Sequence, residues 1–388
     1  MLFALLAACR GGDESPSVNG NVSTRSTSAD EPDSVQPTIG STTVVSPDTT
    51  TRDLAVRVLL DDSVWSNERQ LPLRKRWPGQ VALRWEHLGS LDDESLLTPV
   101  SVAVLRSHIV VSDLGASRLV GYARDAATAH WQLGRPGDGP GEFRQPFLVA
   151  DTDSTVIVLD LQLRRLTVVT SEGRVVTSRS SASFGAVSGV CRRADDSSWW
   201  LKLTPSGDIE RDGLGLLAEG QDSLRRLTPL PLEGAVHPSG IASTAALVRA
   251  TNGTCVVAPT YYAWAGIVAA DGAIARFPLI EAVPTPQVTV EPTGASSRRI
   301  RMADGTVAST RHLAVTDDRA YVIARGRSSA RGRLVDVYRL DPWAYEGSMA
   351  FPDQVLSLSV ADSTVAVITE DPSGYHRVVV ATIKPPSR

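Results

Sequence analysis

The chain has 388 residues, 42% of them hydrophobic, and a formal net charge of −4. That apolar content supplies a large core, and the near balance of charge sets up no field that would draw the protein to nucleic acid. Only three of the 39 basic residues are Lys (Lys75, Lys202 and Lys384), so the cluster Arg298-Arg299-Ile300-Arg301 reads as a solvated loop in an arginine-rich composition.

Taken in order, the chain opens with an unbroken apolar run, Leu2–Ala8, far short of the roughly 20 residues a membrane-spanning helix needs. It ends in Leu6-Ala7-Ala8-Cys9, and small residues just before a cut site mark a secretory signal. These four residues resemble the lipobox of bacterial lipoproteins. The resemblance implies that residues 1–9 are a signal remnant and that the Cys9 thiol receives a diacylglyceryl group, so that lipid alone contacts the membrane. No positive charge precedes the apolar run, as an upstream start would supply, and an apolar N-terminus of a cytosolic protein is the competing reading. Residues 10–52 are dominated by Ser, Thr, Asp, Pro, Gly and Asn, too polar to offset the entropy of ordering, which predicts a disordered tether. Arg10, where Asp would be the inner-membrane signal of Gram-negative lipoproteins, leaves outer-membrane sorting open.

Residues 53–388 carry the folded pattern. Leu54–Leu60 reads as an edge strand, and Val81–Gly89 alternates apolar and polar residues as a half-buried strand does. Then one pattern is written twice: Pro99–Leu105, Ser107–Asp113 and Arg118-Leu119, followed 47 residues later by Pro146–Ala150, Ser154–Asp160 and Arg165-Leu166. A period in the forties with several short apolar runs is the signature of a β-propeller blade. Looser copies start near Val187, Ala245, His312 and Val355, with Val283–Gly305 as a proline-rich loop or insertion. The prediction is an all-β, six-bladed propeller of four-stranded antiparallel blades. The last copy lacks an outer strand, and Val81–Gly89 would supply it, closing the ring and removing exposed sheet edges. Five or seven blades are the alternative counts.

The candidate chemistry is sparse. Gly134–Phe143 is Gly-rich, but no Lys-Ser/Thr and no helix follow, so it is not a phosphate loop. Gly139 and Gly141 are expected to permit positive φ in a tight inter-blade turn. Asp113 and Asp160 recur at matching positions, which favours a structural role: accepting amide hydrogen bonds of the following turn, with Arg118 and Arg165 as ion-pair partners. Cys191 and Cys255 are open to two readings, one disulfide in an oxidising envelope or two buried thiols. The six histidines include no locally spaced ligand pair. A divalent metal would need distant residues, His237 and His312 foremost, to converge on the ring axis. Tyr261, Tyr262 and Trp264 stack on a sugar or peptide if exposed, whereas Trp199-Trp200 reads more readily as packing between blades.

The Gly134–Phe143 turn, the strands ending at Asp113 and Asp160 and the following Arg118 and Arg165 are similar to a bacterial group of six-bladed β-propellers related to NHL repeats. The likeness covers residues 85–176 and continues beyond by periodicity alone. It implies an exported, lipid-anchored protein facing the periplasm or cell surface, and supplies a fold more than an activity. The first expectation for function is a monomeric binding module that takes a protein, peptide or glycan through its loops and central funnel without a cofactor. Some propellers of the NHL type, such as the amidating lyases, hold an axial metal with His ligands. That implies the second reading, a metal-dependent lyase or lactonase. A scaffold in a larger envelope assembly is the third.

Overall fold

The computed structural model describes residues 60–66, 73–88, 96–150, 152–180, 186–193, 198–204, 213–218, 225–231, 245–249, 252–292, 298–328 and 330–385. Cys9 with its signal, the tether at 10–52, His237 and nearly all of the expected edge strand Leu54–Leu60 lie outside the described residues.

A lone first strand, β1 (Gln80–Leu88), precedes blade 1, which comprises β2 (Pro99–Val104), β3 (His108–Asp113), β4 (Arg118–Ala123) and β5 (Ala129–Leu133). Blade 2 is β6 (Pro146–Ala150), β7 (Thr155–Asp160), β8 (Arg165–Thr170) and β9 (Val175–Ser180). Blade 3 is β10 (Ala186–Arg192), β11 (Ser198–Thr204), β12 (Gly213–Ala218) and β13 (Arg225–Pro229). Blade 4 is β14 (Ala245–Arg249), β15 (Cys255–Pro259), β16 (Trp264–Val268) and β17 (Ile274–Pro278). After a hairpin of β18 (Val288–Pro292) and β19 (Arg298–Met302), blade 5 is β20 (Thr310–Val315), β21 (Arg319–Ala324), β22 (Leu334–Leu340) and β23 (Trp343–Ala350). Blade 6 is β24 (Gln354–Ala361), β25 (Thr364–Glu370) and β26 (His376–Lys384), with β1 as its fourth strand, paired from Gln80↔Lys384 to Leu88↔Arg377.

The expected loop at Val283–Gly305 therefore contains a paired hairpin, Val288↔Met302 to Pro292↔Arg298. Its prolines stand before β18 and at its last residue, where a missing amide does not interrupt the ladder. Arg298–Arg301 is accordingly strand rather than loop.

The middle strands are buried along almost their whole length, β3 and β7 at every residue but the first, whereas the outermost β5, β9 and β17 stay largely exposed or half-exposed. Successive side chains of a strand point to opposite faces, and here each face packs on a different neighbouring blade. In β7, Val156 and Val158 join blade 1, while Ile157 and Leu159 join blade 3. Six apolar clusters form this way, one at every junction round the ring, including Trp85, Val102 and Val380 between blades 6 and 1. The adjacent Trp199 and Trp200 divide likewise between two junctions, and both are buried. At the junction of blades 3 and 4, Cys191 on β10 is bonded to Cys255 on β15, with Cα atoms 5.9 Å apart.

The inner strands β2, β6, β10, β14, β20 and β24 meet in cyclic order. Some amides on their open edges are satisfied by serines of the preceding blade. Ser357 Oγ accepts from the Val102 amide at 3.3 Å, Ser359 Oγ from Val104 at 2.9 Å, and Ser101 Oγ from Leu148 at 2.8 Å.

A strap before β1 runs along the outside of blade 5. The Trp77 amide donates to the Ser348 carbonyl at 2.9 Å and the Ser348 amide to the Lys75 carbonyl at 2.8 Å, with Trp77 buried beneath. Arg74 forks onto Asp336, with Nε–Oδ1 2.9 Å and Nη2–Oδ2 3.0 Å, and also reaches Glu281. Burial opposes the Arg74 charge, but Asp336 and Glu281 outweigh it and hold the guanidinium more firmly protonated than usual.

Candidate functional site

Antiparallel pairing brings the starts of the inner strands to one end of the ring, together with the ends of the second strands and the turns into the third. At this end, blades 1 and 2 are closed by the repeated acid. Asp113 accepts from the amides of Leu97 (3.1 Å) and Thr98 (2.7 Å), and Asp160 from Arg144 (2.7 Å), Gln145 (3.3 Å) and Leu163 (3.0 Å). Most of these amides belong to the segment entering the blade, not to the following turn. Each carboxylate thus fixes where an inner strand begins.

Arg118 pairs with Asp113 at 3.2 Å. Arg165 departs from the expected pairing with Asp160. Its guanidinium donates to the carbonyls of Asp138 and Gly139, both at 3.0 Å, and to that of Glu142, pinning the glycine-rich turn while Asp160 is occupied by amides. Within that turn Gly141 does adopt positive φ, +75°. Gly139 does not; its amide donates to Glu142 Oε2 at 2.8 Å, and an added Cβ would lie 2.9 Å from that oxygen. Close approach, rather than a left-handed backbone, is what Gly139 supplies. A small groove lies nearby between blades 2 and 3, lined by Leu159, Leu166, Val187 and Leu201 beside Asp160 and Arg165.

The aspartate is confined to blades 1 and 2. The strand register that opposes Pro99 to Asp113 and Pro146 to Asp160 opposes Ala186 to Thr204, Ala245 to Pro259 and Thr310 to Ala324, so in blade 5 a methyl group stands there and Arg325 follows. Between Thr310 and Leu313 the register slips, inserting an extra residue into β20 at Arg311-His312. Bulges of this kind re-aim side chains. The neighbouring blade 4 adds Tyr261, next to Thr260, whose carbonyl accepts from the amides of Ser309 (2.7 Å) and Thr310 (3.1 Å). Blade 6 adds Glu370, the last residue of β25.

The electrostatics of this corner are those of crowded cations. Burial, and then the field of Arg325, push Arg311 down to about 10, against the pull of Glu370. Burial and Arg331 lower Arg325, opposed by Tyr261 and Glu370. Burial and the Arg311 charge push His312 down to about 4, so its ring is neutral at pH 7. Its Nδ1 is closed to solvent and has no hydrogen-bond partner among the described residues. Burial raises the Tyr261 phenol, with Arg325 opposing.

Of the three aromatic residues proposed as ligand contacts, Trp264 is only 8% exposed and belongs to the cluster between blades 3 and 4, and Tyr262 packs against the same cluster. Trp264 is therefore core. Tyr261 alone borders the cationic corner. Of the two metal candidates, His237 lies outside the described residues and His312 sits beside guanidinium groups that repel a divalent cation. Among the described residues no three His, Cys, Asp or Glu side chains gather into a ligand set. The sequence reading missed Arg311 and Arg325. The signal was present: with blade 5 laid on blades 1 and 2, the repeat's Asp becomes Ala324 and the next residue a cation.

No family model and no curated protein sequence matches the chain. Solved structures do. A member of the DUF4221 family from Bacteroides vulgatus superposes with a TM-score of 0.54 at 11% identity, covering 80% of this chain and all of that one. The chain is a six-bladed β-propeller. A protein of Bacteroides fragilis provisionally described as exported matches the propeller at TM-score 0.49 and 8% identity, over 77% of this chain and 95% of its own. Virginiamycin B lyase of Staphylococcus aureus matches at 0.46 and 11%, over 77% and 99%. At such identities the likeness is one of fold. Among the described residues no helix is long and apolar enough to cross a membrane.

Proposed function

We propose that this propeller is an exported, non-catalytic binding module of the cell envelope. It is held to the membrane by lipid on Cys9 and recognises a protein, peptide or glycan with the strand-start end of blades 4 to 6. The observation that carries the reading is the corner of Arg311, His312 and Arg325 beside Tyr261, where polar groups are assembled that the fold itself does not use. Export is supported by Leu6–Cys9 and by the Cys191–Cys255 bond, since disulfides persist in oxidising compartments. The metal-dependent lyase or lactonase reading draws less support, because His312 lies in a field that opposes a cation.

The test is binding of the full chain to arrayed envelope glycans and peptides, beside Tyr261→Ala and Arg325→Glu variants. The expected result is a set of ligands lost in both variants and left chemically unchanged on capture. Capture indifferent to both substitutions, or turnover of the captured ligand, would overturn the proposal.

A further inference from the structure

We propose that Arg311 and Arg325 form an oxyanion pocket, taking a carboxylate or phosphate group of the ligand with help from Tyr261. The inference rests on the binding-module reading and gives it a ligand chemistry. It begins with a contrast inside the molecule. Other partly buried arginines are matched by acceptors: Arg74 by Asp336 and Glu281, Arg319 by Asp318 (2.6 Å) and Glu346 (2.8 Å), Arg333 by Asp61 and the Phe351 carbonyl (3.0 Å), and Arg165 by three carbonyls. Among the described residues, neither the Arg311 nor the Arg325 guanidinium has a hydrogen-bonded acceptor or an ion pair. Both are half-buried, and charge withdrawn from water is retained at a penalty unless it is paired and hydrogen-bonded. Two groups of like sign within each other's field add to that penalty, which the field of Glu370 offsets in part without a contact.

The surrounding backbone keeps this arrangement open. Gly332 lies under Arg325, where an added Cβ would stand 2.7 Å from Nη1, and its φ of +79° also favours glycine. The bulge at Arg311-His312 brings two successive residues of the inner strand to this end. At the position where blades 1 and 2 carry a carboxylate, blade 5 carries Ala324, so its own second strand ends without an acid beside Arg325. The chemistry of the donors then selects the ligand. Guanidinium forks match carboxylate and phosphate geometry with paired N–H donors, and the Tyr261 hydroxyl adds a neutral donor beside them. A cation is repelled, and a neutral sugar without an acidic group leaves both charges unmatched.

The probes are inorganic phosphate and acetate, titrated into the full-length protein at constant ionic strength set with sodium chloride, with thermal unfolding and calorimetry as readouts. One probe is expected to bind and raise the unfolding temperature. Apparent affinity should fall at least tenfold in Arg311→Gln and in Arg325→Gln. In chloride alone, each variant should unfold at the same temperature as the parent or higher, because an unmatched charge has been removed. A stronger response to phosphate assigns phosphate esters, and a stronger response to acetate assigns carboxylates; both support the pocket. No response to either probe, or a response that survives both substitutions, overturns it. So does destabilisation of both variants in chloride, which would make the two arginines structural. A neutral glycan captured in a Tyr261-dependent manner would sink the oxyanion pocket while leaving the binding module standing.

Discussion

The bond between Cys191 and Cys255 closes a loop with a sequence separation of 64 residues across the junction of blades 3 and 4. Chain-entropy reasoning assigns a loop of that length about 4 kcal/mol of stabilisation through restriction of the unfolded chain. Replacing both cysteines by serine leaves the packing of Trp200, Leu247 and Val257 in that cluster largely intact. The expected loss is therefore close to the entropic figure, with a further contribution from placing two hydroxyls in an apolar site. The assay is urea unfolding of protein purified without reductant, followed by tryptophan fluorescence, since Trp200 lies directly opposite Cys191 in the register. Oxidised parent, reduced parent and the double variant are compared. The reduced parent and the double variant should lie together, about 4 kcal/mol below the oxidised protein, with an unchanged native slope. Two titratable thiols in the denatured, unreduced parent would refute the pairing. Coincidence of all three curves would refute the entropic argument.

Three further outcomes follow from the geometry. His312 is held neutral in the folded protein with a value of about 4, against about 6.5 when unfolded. The unfolded chain therefore binds the extra proton, and stability falls as pH drops through that window. The loss attributable to His312 between pH 7 and pH 5 is about 2 kcal/mol, and chemical denaturation of His312→Gln across the same range should show it abolished. Arg74→Ala strands the buried Asp336 carboxylate and should destabilise by about 3–5 kcal/mol, whereas Arg74→Ala combined with Asp336→Asn should recover part of that loss in the same unfolding assay. Gly141→Ala forces a side chain into positive φ where its Cβ would make only an ordinary contact, 3.9 Å from Leu133, so a loss of about 1–2 kcal/mol is expected from backbone strain alone, measurable as a lowered midpoint without a changed slope.

The ring was legible where the blades are written alike. Pro99–Asp113 and Pro146–Asp160 carry the same apolar spacing, the same terminal acid and the same arginine, and they became the blades those residues suggest. The hairpin β18–β19 was missed because its prolines and arginines mimic loop composition, and only pairing with its own partner strand makes it a ladder. The departure of Arg165 from Asp160 was hidden for a different reason. Spacing can bring an acid and a base close, but the acid had three amides to satisfy and the base three carbonyls. The bulge in β20 leaves no mark on composition, because one added residue changes register rather than hydropathy. The cationic corner was least visible, since Tyr261, Arg311, Arg325 and Glu370 come from three blades and meet only once the ring is formed.

The strap on blade 5 also decides where tension goes. A pull on the N-terminal end meets the Lys75–Trp77 backbone bonds to Ser348 and the Arg74–Asp336 pair before it reaches β1. Single-molecule stretching from that end should thus register a small early release, the strap, ahead of opening of blade 6. The seam between the two ends of the chain is shielded by its neighbour. For a domain held by an N-terminal tether, mechanical load would be taken up by the very sheet that carries Arg311 and Arg325.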